Sequence, residues 1–408
     1  MYTLSRSFSI FAVIFFLFAF QLAIGLASAQ TYNIADLGTL GGSTATARGI
    51  NSAGQVTGSA NLAHDTAGHA FLYASAKLKD IGSLGGTNSV GLGINASGQI
   101  AGYSTQSDGT YRGFLYTGGM MTSIPTLGSK YGAAYAINAS AQVVGQSYTS
   151  NNVAAGFIYT NGTLTDIGNL GGTWGTAAAS INSSGQVVGY SYNKQGNFLG
   201  FLWQNGTMTS LGTLGGDWSA AFAINDPGQI TGQAYLKGNV GAHAFLYNNG
   251  TMKDIDTRGS TYSDGLSLNS SGAVVGEMTV RCNCQFLTYH AFVYTGGKMK
   301  DLNSLIPAHS GWILTQASGI NDSGQIVGWG TVNKQTHAFL LSPISKQIVH
   351  DQERALGLQS RRLPGTPLPR VASMRIFGFL STNLYRDVVT DEMAQANSKV
   401  AALALNGR

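Results

Sequence analysis

Histidine and aspartate are the side chains of this chain best suited to chemistry, and both recur at fixed places in a repeat. Histidine precedes Ala-Phe at His69, His243, His290 and His337, and aspartate lies before the next connector at Asp36, Asp80, Asp166, Asp254 and Asp301. Imidazole and carboxylate groups can bind metal ions or transfer protons. Catalysis, however, requires an acid and a base in different environments, whereas side chains that recur once per repeat are separated from one another.

We therefore interpret these residues as structural. In three repeats the position of the histidine is held by Arg112, Ala155 and Leu199, so the fold does not require a ligand there. The sequence also lacks a nucleophile elbow, a His-Glu-x-x-His motif and a phosphate-binding glycine loop ending in Lys. We predict no catalytic residues, no cofactor and no metal site.

The two cysteines, Cys282 and Cys284, lie in the loop that leads to His290. A Cys-x-Cys pair with a histidine could bind a soft metal ion. In an oxidising compartment a strained small-ring disulfide, or two thiols, is the favoured interpretation.

Aromatic residues in the connectors between repeats are the best candidates for ligand binding. The position that follows Gly-Gly in each connector varies between Thr44, Asn88, Tyr131, Trp174, Trp218, Tyr262 and Trp312. Exposed aromatic rings stack on the apolar faces of sugars and are enriched at recognition surfaces. We predict that Tyr131, Trp174, Trp218, Tyr262 and Trp312 bind a ligand. The alternative is that each ring packs into the cleft between repeats.

A sequence repeat predicts the strands and turns that would position these residues. The phrase Ile-Asn-x-Ser-Gly-Gln-Val-x-Gly recurs seven times, with its Asn at Asn51, Asn95, Asn138, Asn182, Asn225, Asn269 and Asn321. Each unit contains four short strands linked by turns such as Asn205-Gly206, which predicts an antiparallel four-stranded blade. A parallel β-helix is the rival fold, but it would use shorter coils and would not need these hairpins.

The ends of the repeat region predict how the blades would close. The seventh third strand, centred on Phe339, has no fourth strand after it, whereas 33–38 resembles a fourth strand. Pairing the two would remove an open sheet edge. We therefore predict an all-β fold: a seven-bladed β-propeller of four-stranded antiparallel blades over 30–343, closed by the N-terminal strand. The last gap between repeats is eight residues longer than the others, and we place the excess largely near 306–312, on the predicted binding face.

The repeated phrases carry a family resemblance. The motifs His-Ala-Phe-Leu-Tyr at 69–73 and 243–247 and Asp-Leu-Gly-Thr-Leu-Gly-Gly at 36–42 resemble the HAF-repeat family of extracellular bacterial proteins. The resemblance covers about 31–343 and implies a bacterial, exported repeat protein. It implies no particular activity.

The N-terminus and the composition indicate export. Residues 1–29 resemble a signal peptide, with Arg6, an apolar stretch and Ala27-Ser28-Ala29 as a cleavage site, although an uncleaved anchor is the alternative. We expect a secreted, extracellular or periplasmic monomer that has no membrane contact after cleavage. Basic and acidic residues of 30–343 are equal in number, so nucleic acid is not an expected partner. The tail, 344–408, is predicted to be partly helical or disordered.

Three functions fit these features. The first is an exported, non-enzymatic binding or scaffold propeller that recognises polysaccharide or a cell-surface protein through the connector face. The second is a secreted glycan-active enzyme with a site at the mouth of the central channel, and the third is a structural component of the envelope or matrix. Convergence of two carboxylates or histidines at the channel would favour the enzyme.

Overall fold

The structure is a computed structural model that describes residues 32–280 and 288–344. The predictions for the signal peptide, for Cys282 and Cys284, and for the tail from 345 onward lie outside these residues. The described part of the chain forms 28 strands and three short 3-10 helices, at Ala63–Asp65, Lys237–Asn239 and Leu302–Ser304. It contains no α-helix, and none of its helices is long and apolar enough to cross a membrane.

The strands form antiparallel four-stranded sheets. Four of these sheets contain β10 (Gly128–Ile137), β11 (Val143–Thr149), β12 (Ala154–Thr160) and β13 (Thr163–Asp166); β14 (Gly171–Ile181), β15 (Val187–Asn193), β16 (Phe198–Gln204) and β17 (Thr207–Ser210); β18 (Gly215–Ile224), β19 (Ile230–Leu236), β20 (Ala242–Asn248) and β21 (Thr251–Asp254); and β22 (Ser263–Leu268), β23 (Val274–Val280), β24 (Thr288–Thr295) and β25 (Lys298–Asp301). The all-β fold with four-stranded antiparallel sheets is thus confirmed.

The remaining strands follow the same order with two variations. One eight-stranded sheet consists of two antiparallel units that are joined by a single parallel pair, Gly68 with Asn88. The first unit contains β2 (Gly41–Ile50), β3 (Val56–Leu62), β4 (Gly68–Ala74) and β5 (Lys77–Asp80), and the second contains β6 (Gly85–Ile94), β7 (Ile100–Gln106), β8 (Tyr111–Thr117) and β9 (Met120–Ser123). A further sheet joins β26 (Ile313–Ile320), β27 (Ile326–Val332) and β28 (Gln335–Pro343) to β1 (Tyr32–Asp36). In that sheet Tyr32 lies opposite Pro343 and Asp36 opposite Phe339.

Local sequence explains the turns and the close approach of strands. Asn205 and Gly206 have φ values of 52° and 81°, the positive pair that a tight hairpin turn requires. Gly189 of β15 lies against β14, and a Cβ at this position would collide with the carbonyl oxygen of Ala177. The equivalent glycine of the other repeats, which follows Val-x or Ile-x, has the same close contact between the first and second strands, so a side chain does not fit there.

The hydrophobic core lies between consecutive sheets. A phenylalanine at the centre of each third strand is at most 1% exposed: Phe71, Phe114, Phe157, Phe201, Phe245, Phe292 and Phe339. Phe201 packs with Ala178 and Ile181 of its own sheet and with Val144 of the preceding one. Each sheet thus buries its apolar face against a neighbour, as expected for a repeat that cannot bury its own core.

The two ends of each sheet differ in their loops. In the sheet of β14–β17, Gly171 lies opposite Asn193 and Tyr192 opposite Phe198. The connector between sheets and the loop between the second and third strands therefore share one end, which we call the connector end. The opposite end carries the Asn turn between the first two strands and the hairpin between the last two, and we call it the turn end.

The turn ends are linked by a uniform set of hydrogen bonds. Each repeat Asn is buried and donates from Nδ2 to the main-chain carbonyl of the Asn in the next sheet, at 2.9 to 3.3 Å. The donor and acceptor pairs are Asn51 to Asn95, Asn95 to Asn138, Asn138 to Asn182, Asn182 to Asn225, Asn225 to Asn269, Asn269 to Asn321, and Asn321 to Asn51. The seventh bond thus returns to the first residue of the series.

Candidate functional site

The repeated histidines and aspartates form pairs in four of the seven repeats. The Nδ1 to Oδ2 distances are 2.9 Å for His69 and Asp80, 2.8 Å for His243 and Asp254, 2.7 Å for His290 and Asp301, and 2.7 Å for His337 and Asp36. The same aspartates accept main-chain N–H groups two residues onward, at the start of the connector. Each pair therefore fastens the third strand to the connector. Among the described residues there is no group of three or more His, Cys, Asp or Glu that could hold a metal ion.

Electrostatics support a structural role for these pairs. The hydrogen bond to Asp254 raises the pKa of His243, against the effect of burial. Burial acts to raise the pKa of Asp301, but the hydrogen bond with His290 and the attraction to it hold that pKa below its usual value. Both shifts are typical of an ion pair, which stabilises the charged forms of its two partners.

One of the three repeats without the histidine has an opening at that position. Ala155 takes the place of the histidine. Among the described residues, the side chain of Asp166 makes one hydrogen bond, which it accepts from the Gly168 N–H. A surface pocket of about 370 Å³ is lined by Ala155, Asp166, Gly172 and their neighbours. The pocket thus lies beside the position that a histidine takes in four other repeats.

The predicted aromatic residues lie at the connector ends with different degrees of exposure. Trp174 is 54% exposed, Tyr131 39% and Tyr262 37%. Trp218 is half-buried. Tyr131 contacts Tyr111, with ring centroids 5.1 Å apart.

Two of these residues belong to a continuous array of rings that spans two sheets. Trp174 lies 5.9 Å from Tyr192, Tyr192 lies 5.1 Å from Phe198, and Phe198 stacks on Trp218 at 5.4 Å with an interplanar angle of 1°. Trp218 then lies 5.3 Å from Tyr235. We call these five residues the aromatic array. The sequence analysis did not identify Tyr192, Phe198 and Tyr235, although their places beside the loops between second and third strands could have indicated them.

The structure does not place Trp312 with the other four predicted residues. Its indole packs edge-on against the buried Phe339, with centroids 6.1 Å apart, and belongs to the core cluster around Tyr32. In the pairing of first and second strands, Ile313 takes the place that Trp218 has in its own sheet, and Ile313 is 55% exposed. The long connector before it also turns inward, because Leu305 and Ile306 are buried in the same cluster.

A second group of residues lies on the first two strands of three sheets. Gln316 Oε1 accepts hydrogen bonds from Arg48 Nη1 at 3.2 Å and from Trp329 Nε1 at 3.1 Å, and Gln316 Nε2 donates to Glu277 Oε2 at 3.0 Å. Glu277 lies opposite Asp264 in the pairing of β22 and β23. We call these five residues the polar cluster.

The polar cluster contains unusual charges. Burial raises the pKa of Asp264 to about 8, and the nearby charge of Glu277 adds to the shift. Burial also lowers the pKa of Arg48, partly offset by its attraction to Tyr103 and Glu277. The sequence analysis found no asymmetric acid and base, whereas the structure brings two carboxylates together. Their signal was the variable residue after the repeated Val-x-Gly, which is Glu277 in this repeat and Tyr, Gln, Ser or Trp in others.

Comparisons with known proteins add little about activity. No protein-family model matches the chain, and no curated protein matches it. Similar solved structures include TolB from Acinetobacter baumannii, with 13% identity over 60% of this chain and a TM-score of 0.40. The chain covers 64% of TolB, which is less than two thirds of its length.

Two other similar structures have different activities. An acylaminoacyl peptidase from Pyrococcus horikoshii has 10% identity over 78% of this chain and 55% of its own, with a TM-score of 0.48. A gluconolactonase from Xanthomonas campestris has 10% identity over 78% of this chain and 96% of its own, with a TM-score of 0.37. At such identities and TM-scores, none of these activities transfers to the present chain.

Proposed function

We propose that this chain is an exported, non-enzymatic binding protein that recognises polysaccharide through the connector ends of its sheets. The aromatic array carries the proposal, because five rings in contact extend across two neighbouring sheets at that end. Aromatic rings that face solvent bind the apolar faces of sugar rings. An array longer than one ring suits a chain of sugars better than a single one.

The proposed scaffold is a seven-bladed propeller, in which each four-stranded unit is one blade. Three observations support it: seven repeats of the Asn turn, the pairing of β1 with β28, and the hydrogen bond from Asn321 to Asn51. In such a ring all connector ends would lie on one face, so that the aromatic array, Tyr131 and Tyr262 would share a surface.

The proposed location is outside the bacterial cytoplasm. The signal-like segment 1–29 and the resemblance to HAF-repeat proteins support export. The exposed charges beside the aromatic array are of both signs (Lys194, Asp217 and Lys237), and 30–343 has equal numbers of acidic and basic residues. Such a surface suits a neutral polysaccharide better than a polyanion.

A binding screen with matched variants tests this function. The purified full chain is applied to a polysaccharide and glycan array together with Trp174→Ala, Trp218→Ala and Met120→Ala. Met120 is the matched control, since it is 66% exposed and apolar but lies in a hairpin at a turn end. We expect the two tryptophan variants to lose binding by about tenfold or more, with the melting temperature within a few degrees of the wild type.

Other outcomes of the screen would overturn the proposal. Absence of binding to any polysaccharide would do so, as would equal binding by all four proteins. If Trp218→Ala melts much earlier and Trp174→Ala binds normally, the array belongs to the core between the sheets. The search would then turn to protein partners.

A glycan-active enzyme is a second candidate, favoured by one observation. Asp264 and Glu277 lie opposite each other, and the raised pKa of Asp264 would let it donate a proton near neutral pH. Incubating the full chain and Asp264→Ala with polysaccharides and measuring new reducing ends distinguishes the two functions. Release by the wild type alone would establish an enzyme.

A further inference from the structure

The polar cluster is separate from the aromatic array and is formed by three parts of the chain that are far apart in sequence. Arg48 comes from β2, Gln316 and Trp329 from β26 and β27, and Asp264 and Glu277 from β22 and β23. Arg48, Asp264 and Glu277 are half-buried, so each keeps part of its surface in contact with solvent. The cluster therefore meets solvent at part of its surface, while Arg48 Nε and Asp264 Oδ1 lie beneath that surface.

Hydrogen bonding within the cluster leaves specific atoms without partners. Gln316 Oε1 already accepts from Arg48, Trp329 and Ser318, which uses its capacity as an acceptor. Arg48 Nε and Asp264 Oδ1, in contrast, are buried and have no hydrogen-bond partner among the described residues. A buried polar atom without a partner costs about 1 to 3 kcal/mol, and such atoms in native proteins are typical of sites that a ligand or water completes.

The charges of the cluster restrict the class of ligand. One guanidinium and one carboxylate offset each other, and the second carboxyl group, Asp264, is largely protonated at pH 7 because its pKa is about 8. A metal cation is disfavoured by Arg48, and an anion by Glu277. A ligand with neutral groups that both donate and accept hydrogen bonds fits this arrangement.

We infer that the polar cluster binds one small, neutral, polyhydroxylated molecule, such as a single sugar unit or a cyclic polyol. Arg48 Nε donates to one hydroxyl oxygen of the ligand, and Asp264 forms a hydrogen bond to another hydroxyl group through Oδ1. Glu277 accepts from a further hydroxyl group. A hydroxyl group can both donate and accept a hydrogen bond, and it carries no charge to desolvate. Hydroxyl groups of the ligand can therefore be the hydrogen-bond partners of Arg48 Nε, Asp264 Oδ1 and Glu277. This inference does not rest on the function proposed for the aromatic array.

Calorimetric titration of the full chain tests the inference with three ligands, D-glucose, D-galactose and myo-inositol. We expect saturable binding of at least one. The variant Asp264→Ala should weaken that binding by at least about tenfold, because both oxygens are lost. Its melting temperature at pH 7 should not fall, because Oδ1 has no partner to lose.

Two controls separate the cluster from other surfaces. Gln146 holds in β11 the position that Glu277 holds in β23, opposite a residue of the first strand of its sheet. The variant Gln146→Ala should therefore bind the ligand as the wild type does. Trp174→Ala should also retain this binding, even if it loses binding to polysaccharide. The two proposals can therefore fail independently.

The titrations of the wild type and of the variants each have a result that would overturn the inference. If none of the three ligands saturates the wild type, or if Asp264→Ala binds as tightly as the wild type, the cluster is not a site of this kind. If Asp264→Ala does not fold, Glu277→Gln replaces it, since Gln146 and Gln233 show that glutamine is tolerated at this position. Unchanged binding by Glu277→Gln and by Arg48→Lys would then overturn the inference.

Discussion

The turn end and the connector end of each sheet use the same strands in different ways. At the turn end, every repeat places an Asn whose side chain bonds to its own turn and to the next sheet. At the connector end, the equivalent residue is Thr44 in one sheet, Trp218 in another and Ile313 in a third. The Asn position at the turn end is uniform and buried, whereas the compared position at the connector end is variable and in several sheets exposed.

The difference shows what repetition means in this molecule. Asn138, for example, receives N–H bonds on Oδ1 from Ser140 and Gln142 and donates from Nδ2 to Gln142 and Asn182. Glutamine is the one other side chain with both a carbonyl and an NH₂ group, and it holds them one methylene group further from the backbone. A position with such demands cannot vary, whereas a ring that faces solvent can change without loss of the fold.

The largest expected effect comes from breaking the uniform end. Asn138→Ala removes these bonds and leaves the buried carbonyl of Asn182 without that donor, so we expect a loss of about 3 kcal/mol in the free energy of unfolding. Urea denaturation measures this loss. Tyr131→Ala, in the same strand β10, is the matched change at the connector end and should cost less than about 1 kcal/mol. Equal losses in the two variants would contradict the comparison.

The next effect concerns Asp264, at a variable position of the first strands. Its pKa is about 8 in the folded state, against about 4 in an unfolded chain, so the folded state holds a proton that the unfolded state releases. Stability from this group is therefore present below pH 4 and is lost as the pH rises toward 8. Asp264→Asn should remove that loss and raise the free energy of unfolding by about 2 kcal/mol at pH 7, but by little at pH 4.

Denaturation of Asp264→Asn at these two pH values checks the sign. A variant that is less stable than the wild type at pH 7 would show that the carboxylate makes a favourable interaction in the fold. Glu277 and Arg48 are the charged groups near Asp264 or its partner, and both remain in this variant.

The smallest effect comes from making an irregular sheet regular. Ala155→His should place an imidazole beside Asp166, as His243 lies beside Asp254, and should raise the free energy of unfolding by about 0.5 to 1 kcal/mol. The carboxylate should raise the pKa of the new histidine, as it does for His243. The gain is then fully present below about pH 6.5 and is lost as the pH rises through the raised pKa.

Thermal melts of Ala155→His at pH 5.5 and pH 9 measure this gain. Leu199→His in the next sheet is a matched control, because Ser210 replaces the aspartate there and no pair can form. A similar change in both variants would show that the imidazole itself, and not the ion pair, determines the effect.

The sequence predicts those features that depend on local chemistry or on repetition. Phe339 was expected at the centre of its third strand, and Asn205-Gly206 was expected to form a hairpin. The contacts between distant residues were not predictable in this way. Arg48 and Gln316 are 268 residues apart, and Phe198 and Trp218 meet only because neighbouring sheets align. One sequence gives no information on which variable side chains face each other across sheets.

The pairing of β1 with β28 has a consequence for how the chain is made. The ribosome adds β28 about 300 residues after β1, a long delay at roughly 5 to 20 residues per second. During that time the last sheet does not exist, and the polar backbone edge of β1 is available to other chains. Because contacts over such a separation also form slowly, we expect this sheet to be the final one to assemble and newly made chains to be vulnerable to association until it does.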